Sequence, residues 1–205
     1  MISKAKSNWL KLVGIVTMII DHLGYFFFPA YTFLRIIGRI AFPIFAFQIG
    51  IGYKNTHDFK KYALRLSGLA IISQIPFYLL RVHRLNTIFT LLLGLGLIYL
   101  YDKKKYYFLP LILAFPFFIP LDYGIYGLLV ILLFYIFQEQ PVYIIISQTI
   151  LLFTTTFFFQ IYSLLAIPII FGRHFNIKLP KYTFYYFYPG HLLIIYLIKE
   201  FLMTA

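Results

Sequence analysis

The sequence predicts an all-α fold: a polytopic helical bundle of about nine transmembrane helices, with its N-terminus cytoplasmic and one domain spanning residues 1–205. Three observations carry this. The 205 residues are 62% hydrophobic and 12% charged, with a mean hydropathy of +0.87, against roughly 45–50% and about 25% in soluble chains. The apolar residues fall into successive runs close to the ~20 residues that cross a bilayer. Lys and Arg gather in alternate breaks between those runs. Aromatic residues at 22%, Phe 25 and Tyr 19, exclude a disordered or collagen-like chain. Cysteine is absent, which excludes disulfides, thiolate metal sites, cysteine nucleophiles and lipidation on cysteine.

Taken in order, the apolar runs place spans at roughly 9–29, 33–53, 62–80, 86–101, 106–120, 123–138, 141–157, 159–172 and 183–203. The first follows Lys4, Lys6 and Lys11 and mimics a secretion signal. Asp21 and His22, however, stand where small cleavage-site residues belong, so it reads as a retained helix. The fifth is short and holds Pro110, Pro116 and Pro120. The seventh and eighth are parted only by Thr154, Thr155, Thr156 and Gln160, so they read as two spans or one broken hairpin. The ninth is interrupted by Tyr188-Pro189-Gly190-His191. No repeat and no linker divides the chain.

The net charge of +12, Lys+Arg 18 against Asp+Glu 6, reflects membrane topology rather than a nucleic-acid surface. With the N-terminus inside, the inner segments carry Lys4, Lys6, Lys11, Lys54, Lys60, Lys61, Lys103, Lys104, Lys105, Arg173, Lys178 and Lys181. The outer ones carry only Arg35, Arg81 and Arg84. An odd number of spans puts the C-terminus outside. The expected location is the cell membrane, as a multi-pass protein among membrane lipids, with no nucleic acid as partner.

Charged groups inside spans cost about 2.5–3.5 kcal/mol each to insert and are functional by default. Asp21 and His22 lie in the first span, Arg39 in the second with Arg35 at its edge, Ser73 and Gln74 in the third. Asn86 opens the fourth, which holds Thr90, and Asp122, Tyr123 and Tyr126 open the sixth. In this topology they share the outer half of the membrane and line a wet cavity. His22 takes and returns a proton near neutral pH, as a general base does. Asp21 and His22 are about 100° apart on a helix, so Asp21 is as well suited to pair with Arg39 across helices. Arg35 and Arg39, four apart, share a face. They need an anion between them or separate carboxylates, and an anionic group or a developing oxyanion would serve. On the inner side Lys61 and Arg65 suit nucleotide phosphates, or else simply the positive-inside rule. His191 sits in the last span, closer to the inner half, as a kinked-helix histidine or a second proton carrier. A metal is not expected: only Asp21 and His22 resemble a ligand pair.

The run Ile15-Val16-Thr17-Met18-Ile19-Ile20-Asp21-His22-Leu23-Gly24 resembles the opening of the TraX family. So do Arg35-Ile36-Ile37-Gly38-Arg39-Ile40-Ala41-Phe42-Pro43 and, further on, Lys61-Tyr62-x-x-Arg65-Leu66 and Ser73-Gln74-Ile75-Pro76. Asn86-x-x-Phe89-Thr90-Leu91, Asp122-Tyr123-Gly124-x-Tyr126-Gly127 and Tyr188-Pro189-x-His191 complete the series, from about residue 9 to residue 200. The resemblance implies a membrane acetyltransferase, related to the polytopic acyltransferases that use cytoplasmic acyl-CoA to modify acceptors at the outer face. On that reading His22, the matching first-helix histidine, is the general base, assisted by Asp21 and Arg39. Arg35, Lys61, Arg65, Gln74, Asn86, Asp122, Tyr126, Tyr188 and His191 bind substrate or co-substrate. The co-substrate is acetyl-CoA or another acyl-CoA. The acceptor is a peptide N-terminus or a glycan or other polymer.

Two rivals share these features. Polar groups at one depth and broken helices also describe a small-solute transporter; no inverted repeat is visible, and a homodimer would be needed to offset the short chain. A membrane assembly factor would use the many Phe and Tyr as a docking face.

Overall fold

The computed structural model describes residues 3–154, 158–180 and 182–204, so Thr155, Thr156 and Lys181 lie outside the described residues. Every regular element among those described is helical. In chain order they are α1 (Lys4–Phe26), α2 (Thr32–Gly38), α3 (Ala41–Asn55), α4 (Phe59–Leu79) and α5 (Thr87–Asp102). A 3-10 turn (Tyr106–Phe108) leads into α6 (Leu109–Phe118), followed by α7 (Gly124–Ile136) and α8 (Pro141–Thr154). A 3-10 helix (Phe158–Leu165) precedes α9 (Ala166–Phe171), and α10 (Thr183–Thr204) ends the series.

Among the described residues two apolar stretches, Lys4–Phe26 with 23 residues and Thr32–Asn55 with 24, are long and apolar enough to cross a membrane. The expectation of about nine spans is therefore corrected at the level of helix length. Several of the remaining runs fold as shorter apolar helices of 10–17 residues. Prolines account for part of this. Pro43 lacks an N–H, and its ring would collide with the carbonyl of Arg39 in a continuous helix. The second span accordingly breaks at Arg39–Ile40, in 3-10-type bonds from Arg39 N to Ile36 O and Ile40 N to Ile37 O, both 3.2 Å. The last span is corrected in the other direction: α10 runs unbroken through Pro189, giving up the one bond its missing N–H would make to Tyr185.

The chain packs as two compact units, Met1–Phe45 with Gln140–Ala205, and Ala46–Glu139; α3 passes from one to the other. In the first unit, Ser3 caps α1 by accepting from Lys6 N at 3.2 Å. The buried stripe Leu10, Gly14, Thr17, Asp21 and Gly24 recurs every three or four residues. At Gly24 a Cβ would lie 2.8 Å from Leu34 Cβ, so α1 and α2 approach too closely for any other residue. Helices α1 and α10 run parallel: Asn8 Nδ2 donates to Ile177 O at 3.1 Å, His22 meets His191, and Lys199 lies 5.6 Å over the Phe26 ring.

In the second unit α5 lies between α4 and α7, with Leu97, Leu121 and Leu128 at its core. One end is closed by the pairing of Leu85 with Leu121, through Leu85 N to Pro120 O at 2.9 Å and Asp122 N to Leu85 O at 3.0 Å. At another point Asp102 accepts from Tyr53 at 2.8 Å and Tyr135 at 3.1 Å.

Large apolar side chains face outward in number: Leu64 and Ile75 on α4, Val142 and Phe153 on α8, Tyr186 and Phe201 on α10 are all more than half exposed. The buried set includes Asp21, Arg39, Ser73, Asn86, Thr90, Gln148 and His191. The two buried charges, Asp21 and Arg39, are paired with each other, as buried charges almost always are.

Candidate functional site

The first unit brings together two groups that adjoin on α1. One is a histidine pair. His22 Nδ1 lies 2.9 Å from His191 Nε2, and His191 Nδ1 lies 3.0 Å from the carbonyl of Phe187, one turn earlier on α10. A carbonyl only accepts, so His191 Nδ1 carries a proton. The neutral ring then has its lone pair at Nε2 and accepts from His22 Nδ1–H. This leaves the lone pair of neutral His22 at Nε2. The rings of His22 and His191 are nearly parallel, 6° apart with centroids at 5.0 Å, and Phe187 stacks on His191 at 4.5 Å. Tyr188, almost fully buried, meets the His191 ring edge-on at 5.4 Å.

The other group is ionic. Asp21 Oδ1 accepts from Arg39 Nη2 at 2.6 Å and its Oδ2 from Arg35 Nη1 at 2.7 Å. Arg35 also donates to the Asp21 carbonyl at 3.2 Å, and Arg39 Nε to the Arg35 carbonyl at 3.3 Å. The turn forced by Pro43 is what aims Arg39 at α1. At Gly38 a Cβ would overlap the Asp21 carboxylate, so only glycine admits it. The guanidinium of Arg35 lies 4.8 Å over Tyr25 and that of Arg39 5.9 Å over Phe159. The two arginines thus share one carboxylate, where the sequence called for two carboxylates or an intervening anion. Two guanidiniums meet one carboxylate beside His22. A base on one residue and guanidinium donors on the next can together take a proton and stabilise a negative charge that forms nearby.

His191 lies level with His22, not nearer the inner half; parallel packing of α1 and α10 sets that level. Sequence spacing could not reveal the pair, since its members are 169 residues apart. Tyr25 and Phe159 were also missed, being indistinguishable by type from dozens of aromatic neighbours. Gln148 was missed as well. It is 2% exposed, and neither end of its amide has a hydrogen bond among the described residues. A lone amide inside the apolar run of α8 was the available signal.

The other sequence candidates belong to the second unit. Gln74 Oε1 accepts from Asn86 N and Asn86 Nδ2, both at 2.9 Å, while its amide donates to Arg84 O at 2.9 Å. Asn86 also donates to Ala70 O at 2.8 Å and caps α5 by accepting from Ile88 N at 2.9 Å. Their polar atoms are thus committed to holding the α4–α5 turn. Asp122 accepts from Thr87 at 2.6 Å and lies 3.6 Å from Arg84 Nε. Tyr126 is buried on α7. Lys61 and Arg65 lie on the first turns of α4, about 20 Å and about 14 Å along the helix from Gln74. Lys61 is exposed and 3.4 Å from Asp58, and Arg65 lies 5.9 Å over Tyr62.

The sequence pattern of the family described as TraX protein matches residues 6–199, which includes both the histidine pair and the arginine cluster. The chain belongs to the TraX family. Among relatives, Protein TraX of Escherichia coli is 32% identical over 78 residues, covering 38% of this chain and 32% of its own. An uncharacterized protein of Rickettsia prowazekii is 36% identical over 103 residues, 49% of this chain and 40% of its own. A probable fimbrial assembly protein FimC, serogroup H1, of Dichelobacter nodosus is 25% identical over 94% of this chain and 95% of its own. The chain therefore spans well under half of two of these relatives and nearly all of the third. No solved structure matches.

Proposed function

We propose that this TraX-family chain is a multi-pass enzyme of the cell membrane that moves an acyl group, acetyl in the simplest case, from cytoplasmic acyl-CoA to an amine or hydroxyl at the outer face. The observation that carries the reading is the His22–His191 pair, which leaves a free ring nitrogen on His22 next to the Arg35–Asp21–Arg39 cluster. The many outward-facing large apolar side chains and the two apolar stretches of membrane-crossing length support its place in the bilayer.

In the reaction the acceptor N–H or O–H approaches His22 Nε2. As the acceptor atom attacks the thioester carbonyl, His22 takes its proton, and the imidazolium is held through Nδ1–H by the lone pair of His191. His191 is fixed in turn by the Phe187 carbonyl, an arrangement in the sense of a base oriented by a third group. The carbonyl oxygen becomes anionic and is stabilised by the guanidinium donors of Arg35 and Arg39. Collapse breaks the C–S bond, the new amide or ester leaves, and the CoA thiolate takes the proton from His22. Because a nearly full-length relative is named for fimbrial assembly, the N-terminus of a fimbrial subunit is a first acceptor to try.

The test is label transfer from acyl-CoA to membrane extract by protein in nanodiscs, wild type beside His22→Ala. We expect transfer by the wild type and a loss of 10²–10⁴-fold in the variant, the usual worth of a general base. Wild-type protein that neither binds nor consumes any acyl-CoA overturns the reading. The fimbrial name also favours a second reading, an assembly factor without catalysis, which predicts that fimbrial assembly tolerates His22→Ala.

A further inference from the structure

Phe159, the ring over Arg39, belongs to a 3-10 helix of uncommon length. The segment Phe158–Leu165 has eight residues, where 3-10 runs beyond three or four are rare. It leads directly into α9 (Ala166–Phe171), so one short rod holds two windings. The 3-10 winding turns about 120° per residue and repeats a face every third one. Gln160, Ser163 and Ala166 accordingly share a buried face, and Phe159, Tyr162 and Leu165 an exposed one. Helices α8 and α2 both pack against the segment.

The same residues also spell an α-helical face. Helix α9 buries Ala166, Ile167 and Ile170. Continued backwards in steps of three and four, that stripe takes in Ser163, Tyr162 and Phe159 and leaves Ile161 and Leu165 outside. Rewinding from about 120° to about 100° per residue turns Phe159 by about 140° relative to Ala166 and draws it about 3.5 Å along the axis. The ring then leaves Arg39, and Tyr162 turns inward toward α8. There Gln148, 2% exposed, has no hydrogen bond at either end of its amide among the described residues. Gln148 lies about 9 Å before the end of α8 and Tyr162 about 8 Å past the start of the 3-10 helix, so the two are level in the hairpin. Each winding thus makes a contact that the other forgoes. The 3-10 form seats Phe159 on Arg39, and the α form brings a hydroxyl to a buried amide, which is costly to leave unbonded.

We propose that Phe158–Leu165 is a two-state gate over the arginine cluster, closed when wound as a 3-10 helix with Phe159 on Arg39 and open when wound as an α-helix continuous with α9. Phe159 is placed to act as the lid: it is 40% exposed, whereas the Arg39 side chain under it is 9% exposed. The gate does not depend on acyl transfer, since any anionic group that reached Arg39 from this side would have to pass the same ring.

The chain has no cysteine, so two spin labels can be placed selectively, one at Ile161→Cys on the moving segment and one at Val16→Cys on α1, both exposed positions. The experiment measures the distance between them by double electron–electron resonance in nanodiscs. Rewinding turns residue 161 by about 100°, so two distances are expected in the labelled parent chain. Phe159→Ala removes the contact of the closed form, and Tyr162→Phe removes the hydroxyl of the open form. The two variants are expected to shift the ratio of the populations in opposite directions, each by at least about threefold, the scale of one weak polar contact. Tyr186→Phe, exposed on α10, serves as control and leaves the ratio unmoved. A single distance common to the parent and both variants, or shifts in the same direction, overturns the proposal.

Discussion

Asp21 holds Arg35 and Arg39 with one carboxylate in a site where Arg39 is buried. Removing one partner of a buried ion pair costs about 3–5 kcal/mol, because the remaining charge is left uncompensated. Asp21→Asn keeps the shape and loses the charge, leaving two guanidiniums facing each other. We expect a lowered melting temperature in detergent together with loss of label transfer. A variant as stable as wild type would show that the arginines have other counter-charges. Arg39→Lys separates the roles: one charge remains, but the fork that donates both to Asp21 and to the Arg35 carbonyl is lost. Transfer is expected to fall at least tenfold with acyl-CoA binding retained. At this scale the sequence was informative where physics is local. The expense of burying Asp21 and Arg39 pointed to their pairing, four-residue spacing put Arg35 beside Arg39, and the first-span histidine stood out by position. The histidine pair was illegible, because nothing in residue spacing ties α1 to α10.

Helix boundaries follow from single residues whose effects reach one turn. Pro43 ends α2 and Gly38 admits Asp21, so the short stretch Gly38–Pro43 builds half the ionic site. Gly38→Ala forces a methyl into the Asp21 carboxylate, an overpacking of about 1–3 kcal/mol, and we expect reduced thermal stability with a weakened transfer rate. Pro43 was in plain view, yet the apolar run around it masked the break. Pro189 drew the opposite error: hydropathy and a Pro-Gly pair suggested an interruption, and α10 absorbs both, since a helix in a bundle tolerates one lost bond. At the start of α4, Asp58 caps the helix by accepting from Lys61 N at 3.0 Å. That bond, with the Lys61 ammonium, holds its carboxyl below the ordinary carboxylate range. The stabilisation is complete at neutral pH and is lost as pH falls through the depressed value. Asp58→Asn keeps a capping acceptor without the titration. Its melting temperature is expected to fall less than that of wild type between about pH 5 and about pH 2; equal losses would show that the cap does not contribute.

Across the whole molecule, the charge bias and apolar composition predict a membrane protein, and the alternating Lys/Arg breaks predict its topology. Helix number and length were only partly legible, because a run of apolar residues does not reveal where 3-10 turns and prolines shorten it. The topology is directly measurable in this cysteine-free chain. His83→Cys is expected to react with a membrane-impermeant maleimide from outside intact cells and Lys104→Cys only after permeabilisation. Reaction of both from one side would refute the predicted orientation.

The distances along the chain between interacting residues also carry a temporal consequence. Asp21 reaches Arg39 after 18 residues, whereas His22 waits 169 residues for His191. A ribosome adding about 5–20 residues per second therefore makes the ion cluster available early in synthesis. The histidine pair can be completed only after α10 emerges. On the acyl-transfer reading a nascent chain would pass most of its synthesis without its base, and a truncation before α10 should be inactive.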